Sequence, residues 1–156
     1  MSDFDFLTGT WDVTNRRRTD FLEESCLLGE TTDWEEFPGV SRASRHFGGG
    51  ANIDEIEFPT KGVSGLTVRL YDRESERWSL YWASSSTGRL FPPVVGGFAA
   101  GRGEFHGDDV HVGRPVRVRF VWSDITDRSA RWEQAFSVDG ERTWITNWIM
   151  DLTRRE

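Results

Sequence analysis

The stretch Pro115–Val138, PVRVRFVWSDITDRSARWEQAFSV, contains two segments in which apolar and polar residues alternate. In Pro115–Trp122, one face carries Val116, Val118, Phe120 and Trp122. In Ala130–Val138, one face carries Trp132, Gln134, Phe136 and Val138. Because successive side chains of a strand point to opposite faces, each segment predicts a β-strand whose aromatic face is turned inward.

The dipeptide Asp139-Gly140 follows the second strand directly and is typical of a tight β-hairpin. It predicts a last strand over Arg142–Leu152. That strand has apolar residues on both faces, since Trp144, Thr146, Trp148 and Met150 alternate with Ile145, Asn147, Ile149 and Asp151. The pattern therefore does not determine which face of this strand points inward.

The same alternation recurs earlier in the chain. Leu66, Val68 and Leu70 predict the inward face of one strand, and Trp78, Leu80 and Trp82 that of the next. Further strands are predicted at Thr10–Arg18, Leu27–Phe37, Arg42–Phe47, Asn52–Phe58, Val94–Ala99 and Arg102–Asp109. Helical signal is confined to one turn at Asp3–Leu7 and an ambiguous stretch at Thr19–Cys26.

About ten strands joined by short turns predict an all-β fold, a single antiparallel up-and-down β-barrel with little helix. At 156 residues the chain fits one domain spanning residues 1–156. Closure removes exposed edge strands, and ten strands enclose more space than the roughly eight whose side chains can fill a barrel. A two-sheet sandwich is the alternative, but it needs longer crossovers than the short turns between Gly65 and Leu152 provide.

Charge and composition restrict the kinds of partner. The net charge of −7 disfavours nucleic acid, and the basic run Arg16–Arg18 fits a solvated strand end. No apolar run approaches the roughly 20 residues of a membrane-spanning helix, so we expect no membrane partner. Cys26 is the only cysteine, which excludes an intramolecular disulfide. The first residues, MSDFD, lack the features of a signal peptide, so we expect a cytoplasmic location.

The segment Phe4–Val13, FDFLTGTWDV, resembles the start of calycin barrels, where a short N-terminal plug precedes Gly-x-Trp in the first strand. Together with Trp132–Ser137 (WEQAFS) and Asp139–Trp144 (DGERTW), it is similar to a group of bacterial lipocalin-like proteins with a shared fold and no settled activity. The resemblance implies a calycin, lipocalin-like barrel with Trp11 at its closed end. It also implies a basic cap on that residue from near the C-terminus, here Arg154 or Arg155.

The predicted inward faces bring aromatic and polar side chains together in the lumen. The ligand-binding residues predicted in this way are Asn15, Arg17, Trp34, Glu36, Trp82, Trp122, Trp132, Gln134 and Trp148, with Thr32 beside Trp34. Apolar area would give affinity for a small molecule, and a few hydrogen-bonding groups would fix its orientation. The alternative is that the Trp side chains fill the barrel and that Arg17 pairs with Glu36 at its mouth. A one-residue slip would reverse every assignment on a strand.

No residue pattern indicates a metal, a cofactor or a nucleophile. The three histidines, His46, His106 and His111, lack metal-ligand spacing. Gly48–Gly50 fits a turn, and neither Ser84–Ser86 nor Cys26 has an activating motif. His106 and His111 flank Asp108-Asp109, a grouping that could serve proton transfer near one barrel end. We therefore expect no metal and no cofactor, and no catalytic residue is assigned.

The segment Leu90–Val95, LFPPVV, is the most apolar irregular stretch. Its two prolines prevent a regular ladder, so it should form a loop or edge near a barrel mouth. It fits either a lid over the lumen or a contact between the two copies of a homodimer, and the pattern does not distinguish them.

Three functional hypotheses follow. The first is a non-enzymatic protein that binds a small, largely apolar or aromatic molecule in a Trp-rich barrel cavity. The second is an enzyme of isomerase or cyclase type that orients its substrate in the same cavity, with Arg17, Glu36 and Gln134 as the residues to test. The third, haem binding, rests on His106, His111 and a similarity to nitrobindin-like haem barrels at the start of the chain. Those barrels continue with a glycine-rich pattern where this chain has Asp12-Val13-Thr14, which disfavours haem.

Overall fold

The computed structural model describes residues 3–29 and 33–155. Its strands are β1 (Gly9–Arg18), β2 (Trp34–His46), β3 (Ala51–Phe58), β4 (Val63–Asp72), β5 (Arg77–Ser84), β6 (Arg89–Leu90), β7 (Val94–Ala99), β8 (Arg102–His111), β9 (Arg114–Ser123), β10 (Ser129–Ser137) and β11 (Ile145–Arg154). A short helix, α1 (Ser25–Leu28), and 3-10 turns at Asp5–Leu7 and Phe47–Gly49 accompany them. In the described ranges no helix has the length and apolar character needed to span a membrane.

Ten of the strands close into one barrel. Their order around the ring is β1-β2-β3-β4-β5-β7-β8-β9-β10-β11, every neighbouring pair is antiparallel, and β11 returns to β1. The two-residue strand β6 pairs with the end of β5 beside this ring. The predicted all-β, antiparallel up-and-down barrel is therefore confirmed, and the strands of the described residues form one sheet rather than a sandwich of two.

The alternation in the two strands quoted first predicts their inward faces correctly. Val116 and Val118 of β9 are buried, and Trp132 of β10 lies opposite Trp122 of β9. On β5, Trp78 is fully buried, as its position in the Trp-Leu-Trp set predicts. These strands form the aromatic side of the barrel interior.

The inward face predicted for β4 is wrong. Leu66, Val68 and Leu70 lie on the outer face, where the two leucines are 41% and 38% exposed. The inner face instead carries Thr67 and Arg69, both buried, opposite the inward residues of β5. Alternation divides a strand into two faces, but only pairing with a strand of known orientation decides which face points inward.

Strand β2 is one continuous element, in place of the two strands predicted at Leu27–Phe37 and Arg42–Phe47. The dipeptide Pro38-Gly39, which interrupts the sequence pattern, is held in the strand by pairing with β1. Leu27 lies in α1, directly after the stretch whose character was ambiguous. Thr32, predicted to face inward, lies outside the described residues.

A bulge between β10 and β11 settles the orientation that the sequence left open. Gln134 pairs with Trp148, but the next residue, Ala135, pairs with Thr146, so Asn147 is the extra residue. Beyond the bulge, Trp148, Met150 and Leu152 of β11 are buried in the interior.

The turn before β11 is longer than the two-residue hairpin predicted at Asp139-Gly140. The carboxylate of Asp139 accepts hydrogen bonds from the hydroxyl and the backbone N–H of Thr143, at 2.6 and 3.0 Å, and from the hydroxyl of Ser137 at 2.8 Å. These bonds, those from Thr143 above all, lower the pKa of Asp139 to about 2. The ionised carboxylate therefore holds the residues of the turn together, and β11 begins later in the chain than predicted.

The N-terminal segment before β1 plugs one end of the barrel. Phe4 and Leu7 are 1% and 2% exposed, and the ring of Phe4 meets that of Trp78 edge-on at 4.8 Å between centres. Trp11 is fully buried, and its indole N–H donates to the backbone oxygen of Leu7 at 2.9 Å. The Gly-x-Trp motif thus forms the closed end, as expected.

Arg154 of β11 caps this plug from outside. Its guanidinium carbon lies 4.3 Å from the centre of the Trp11 ring, and its Nη atoms donate to the backbone oxygens of Phe6 and Thr8, each at 2.6 Å. Its Nε donates to a carbonyl of the β9–β10 connection at 2.8 Å. Of the two arginines expected as the cap, Arg154 takes that position, whereas Arg155 pairs with an outer carboxylate of β1.

We expect Trp11→Ala to lower the free energy of unfolding by about 3 to 5 kcal/mol, the range for deleting a buried large aromatic side chain. The loss includes the platform beneath Arg154 as well as the apolar contacts. Denaturant-induced unfolding measures it. Trp34→Ala is the matched control, because Trp34 is 39% exposed and its deletion should change stability by less than about 1 kcal/mol. Equal stability of the Trp11 variant and the parent protein would contradict the plug.

Candidate functional site

Two adjoining spaces occupy the barrel interior. The inner chamber, of about 70 Å³, lies against the plug and is lined by Leu7, Ser41, Asp54, Ile56, Thr67, Arg69, Leu80, Trp82, Phe120, Trp122, Trp132, Gln134, Trp148, Met150 and Leu152. The vestibule, of about 480 Å³, lies toward the opposite end, and its lining includes Arg17, Phe21, Phe37, Phe58, Lys61, Val63, Phe91, Pro92, Asp109, His111 and Phe136. The vestibule has the volume of a small-molecule pocket, whereas the chamber has room for a few water molecules or one polar group of a ligand.

Five side chains line both spaces and form the boundary between them: Leu80, Trp82, Phe120, Gln134 and Trp148. A molecule in the vestibule would therefore touch the same side chains that border the chamber. Four of the five are apolar or aromatic, so the boundary favours a flat apolar body.

Aromatic side chains in this boundary and next to it pack in fixed geometries. Trp132 and Trp148 meet edge-to-face with ring centres 5.8 Å apart, and Phe120 meets Trp132 at 5.1 Å. The ring of Trp82 lies directly over Gly65 of β4, since a Cβ atom at Gly65 would come within 1.8 Å of it. Glycine at this position therefore leaves the space that the Trp82 ring occupies.

Six of the nine residues predicted to bind a ligand lie on these walls. They are Arg17, Trp82, Trp122, Trp132, Gln134 and Trp148. Asn15 is fully buried behind the wall, where its Oδ1 accepts a hydrogen bond from the Trp148 indole N–H at 3.0 Å and its Nδ2 donates to the backbone oxygen of Phe37 at 3.2 Å. Asn15 thus orients Trp148 in the described structure.

The inward placement of Trp34 and Glu36 is wrong. In the β1–β2 register Trp34 pairs with Arg18 and Glu36 with Arg16, both on the outer face, and both residues are exposed. Phe37, which was not assigned, takes the inward position. The reason is a one-residue slip. The prediction took Trp34 to point inward because it is aromatic, but Trp34 is the residue at which β2 begins and it packs outside the barrel.

A buried polar cluster on β3 and β4 forms one wall of the inner chamber. Arg69, with 4% of its surface exposed, donates from Nη1 to Asn52 at 2.7 Å and pairs through Nη2 with Asp54 at 2.5 Å. The rings of Phe4 and Trp122 lie 5.2 and 5.8 Å from its guanidinium carbon. The charge is therefore neutralised by Asp54 and enclosed by aromatic rings.

Sequence reasoning missed this cluster because β4 was assigned with its leucines inward. A signal was present in β3, where Asn52, Asp54, Ile56 and Phe58 share one face. The apolar pair at the end of that face orients the whole strand, and its polar residues then have to be buried.

Cations and aromatic rings surround the vestibule near its opening. The guanidinium carbon of Arg17 lies 5.1 Å from the ring centres of both Phe21 and Phe37, and 4.9 Å from that of Trp148. Its Nη2 donates to Glu35 at 3.1 Å. The predicted pairing of Arg17 with Glu36 is therefore replaced by one with Glu35, in keeping with the slip in β2.

Lys61 shares the carboxylate of Glu35 with Arg17, donating to it at 2.9 Å. The hydrogen bond from Lys61, followed by that from Arg17, lowers the pKa of Glu35 against the opposing effect of burial. Two cations thus meet one carboxylate, and this side of the vestibule carries a net positive charge.

Of the histidines, His111 lines the vestibule. One ring nitrogen lies 2.6 Å from the backbone oxygen of Phe21, and the ring packs between Phe21 and Phe136. His106 lies on the outer face beside Trp144, so the two histidines do not converge. Within the described residues no group of three or more His, Cys, Asp or Glu side chains could hold a metal ion.

Asp109 also lines the vestibule, two residues before His111 on the inner face of β8. Burial raises the pKa of Asp109, while a backbone N–H and His111 act in the opposite direction. Cys26 lines neither space. Burial raises the pKa of its thiol to about 11, so the thiol stays protonated near neutral pH.

The Pro-rich segment takes part in the vestibule wall through Phe91, Pro92 and Val94. Leu90 points outward and is 62% exposed. This placement agrees with a loop at the barrel mouth, while a homodimer contact through the segment stays a prediction.

Comparisons with known proteins identify the fold and nothing finer. No family model and no curated protein matches the chain. Among solved structures, a redesigned β-barrel aligns over 100% of this chain and 98% of its own, with a TM-score of 0.53 and 13% identity. An S-type phycobiliprotein lyase from Guillardia theta aligns over 98% of this chain and 90% of its own, with a TM-score of 0.60 and 9% identity.

We expect Trp82→Ala to destabilise the protein by less than about 3 kcal/mol, because its side chain already borders open space on two sides and has fewer packing contacts to lose. Trp122→Ala is the comparison, since Trp122 is only 4% exposed and touches the plug through Phe6. Denaturant unfolding of both variants should rank Trp122→Ala as the more destabilising. The reverse order would contradict the assignment of Trp82 to the boundary.

Proposed function

We propose that this protein binds a small, flat, largely apolar or aromatic molecule in the vestibule, with one end of the ligand against the boundary side chains. The observation that carries the proposal is a vestibule of about 480 Å³ that ends on Trp82, Trp148 and Phe120. Apolar and aromatic walls with a few hydrogen-bonding groups are the usual composition of a small-molecule site. We also propose a cytoplasmic location, on the grounds of the sequence.

The groups near the opening support a ligand that enters from this end. The plug seals the opposite end through Trp11 and Arg154, so the vestibule is the side that can admit a ligand. Arg17 and Lys61 are held over aromatic rings, which fixes their positions, and they suit an anionic or electron-rich substituent left at the mouth.

Three naphthalene derivatives that differ in one substituent test this proposal by calorimetric titration: 2-isopropenylnaphthalene, 2-acetylnaphthalene and 2-naphthoate. We expect binding by the parent protein. Val63→Trp, which places a bulky side chain on the vestibule wall, should weaken binding about tenfold or more, equivalent to about 1.4 kcal/mol.

Leu66→Trp is the matched control, because Leu66 lies on the same strand but on the outer face, 41% exposed. It should leave affinity unchanged. If none of the three compounds binds the parent protein, or if both variants weaken binding equally, a ligand site in the vestibule is wrong.

The second candidate function is an enzyme that uses Asp109 as a base, and the observation favouring it is the raised pKa of this desolvated carboxylate beside His111. A raised pKa makes a carboxylate a stronger base once it is ionised. One fold neighbour is named as a lyase, so a barrel of this kind does occur in an enzyme.

Base-catalysed ring opening of 5-nitrobenzisoxazole, a flat aromatic probe for proton abstraction, tests this candidate. The rate should exceed that in buffer and fall as the pH drops through the raised pKa of Asp109, because protonation removes the base. Asp109→Asn should abolish the excess rate. Glu104→Gln should not, since Glu104 lies on the outer face of the same strand and pairs with Arg102. Equal loss in the two variants would reject Asp109 as the base.

A further inference from the structure

The buried side-chain atoms without a hydrogen-bond partner are all nitrogen donors within the described ranges. They are Arg17 Nε, Arg18 Nη2, Asn52 Nδ2, Arg69 Nε, Arg119 Nε and Asn147 Nδ2. Buried donors normally have acceptors, and a donor left without one is destabilising. Two of these donors, Nε of Arg17 and Nε of Arg69, belong to side chains that line the barrel cavities, where a bound molecule can supply the missing acceptor.

Arg69 is the member of this set that lines the inner chamber. The rings of Phe4 and Trp122 lie 5.2 and 5.8 Å from its guanidinium carbon. Two of its edges are used, because Nη1 donates to Asn52 and Nη2 pairs with Asp54. Nε is buried and is the guanidinium nitrogen without a hydrogen-bond partner.

Charge determines which acceptor this Nε–H suits. Asp54 already neutralises Arg69, and both side chains are more than nine-tenths buried. A second anion in the chamber would lose its hydration and meet a neutral pair, so it would gain no net attraction. An uncharged carbonyl oxygen accepts the same hydrogen bond without that penalty.

We propose that the inner chamber receives an uncharged carbonyl group of the ligand, whose oxygen accepts a hydrogen bond from Nε of Arg69. The inference rests on the proposed function, since the rest of the ligand lies in the vestibule. It assigns an orientation: the carbonyl end enters first, past the boundary side chains, and any anionic substituent stays outside near Arg17 and Lys61. The ligand class is therefore flat aromatic or conjugated carbonyl compounds.

The three naphthalene probes separate these requirements. The acetyl and isopropenyl groups have nearly the same shape, but only the acetyl group carries an acceptor oxygen, and the carboxylate of 2-naphthoate is charged. We expect the parent protein to bind 2-acetylnaphthalene about tenfold more tightly than 2-isopropenylnaphthalene, the gain from one hydrogen bond to a charged donor.

The double variant Asp54→Leu/Arg69→Met removes the donor together with its counter-charge. Replacing a buried ion pair with apolar residues of similar size is commonly tolerated, so the variant should fold. Its preference for 2-acetylnaphthalene should fall below about twofold, while its affinity for 2-naphthoate should not change. Asp54→Asn/Arg69→Gln is the second variant, which replaces the ion pair with two uncharged amides. Arg102→Gln, on the exposed outer face, is the control and should keep the preference.

The outcomes separate the two proposals. Equal affinity of the parent protein for the acetyl and isopropenyl compounds overturns the carbonyl assignment and leaves vestibule binding intact, as expected if only water occupies the chamber. A preference that persists in both double variants also overturns it. A loss of 2-naphthoate binding in the double variants overturns the requirement for an uncharged group. Failure of all three probes to bind the parent protein overturns the proposed function itself.

Discussion

The contact between Arg154 and Trp11 holds together the parts of the chain on which the barrel depends. One guanidinium lies on the Trp11 ring, and it binds two backbone oxygens of the segment before β1 and one in the β9–β10 connection. These bonds join the plug, the first strand and the last strand where the ring closes. Because one side chain binds three backbone carbonyls at this end of the barrel, the plug can pack without leaving them unpaired.

Because the barrel is sealed at this end, the cost of burying a charged group changes along its interior. Next to the plug, the chamber holds a charge pair that is nearly fully buried. At the other end, Arg17 and Lys61 are about one-fifth to one-third exposed and share one carboxylate. The effective dielectric constant rises from the first site to the second, so ionic groups are costly in the chamber and tolerated at the vestibule opening.

The sequence predicted the architecture better than the site. Alternation in β9 and β10 predicted the inward faces of these strands correctly because their aromatic residues all fall on one face. The plug motif predicted the position of Trp11 at the closed end. In β4 the apolar residues are on the outer face, exposed as Leu66 and Leu70, and the charged ones are inside. The usual expectation that apolar residues are buried fails there because Arg69 and Asp54 satisfy each other.

Other features depend on contacts that no single segment contains. The slip in β2 follows from its pairing with β1, and the orientation of β11 follows from a bulge at Asn147 opposite β10. Local patterns cannot reveal either one, because each requires knowledge of the partner strand. The polar cluster was missed for another reason, since Arg69 and Asp54 come together only when the faces of β3 and β4 are oriented.

The polar cluster of Arg69, Asp54 and Asn52 is costly to bury. A buried ion pair contributes little to stability compared with apolar residues of the same size, so stability alone does not account for Arg69 and Asp54. The Nε–H of Arg69 is in addition a buried donor without a partner, which costs about 1 to 3 kcal/mol. Around it the barrel packs aromatic rings closely, so the polar wall is not a consequence of loose packing. A polar group placed at the sealed end of an otherwise aromatic lumen can discriminate between the two ends of a molecule, which an entirely apolar wall could not do.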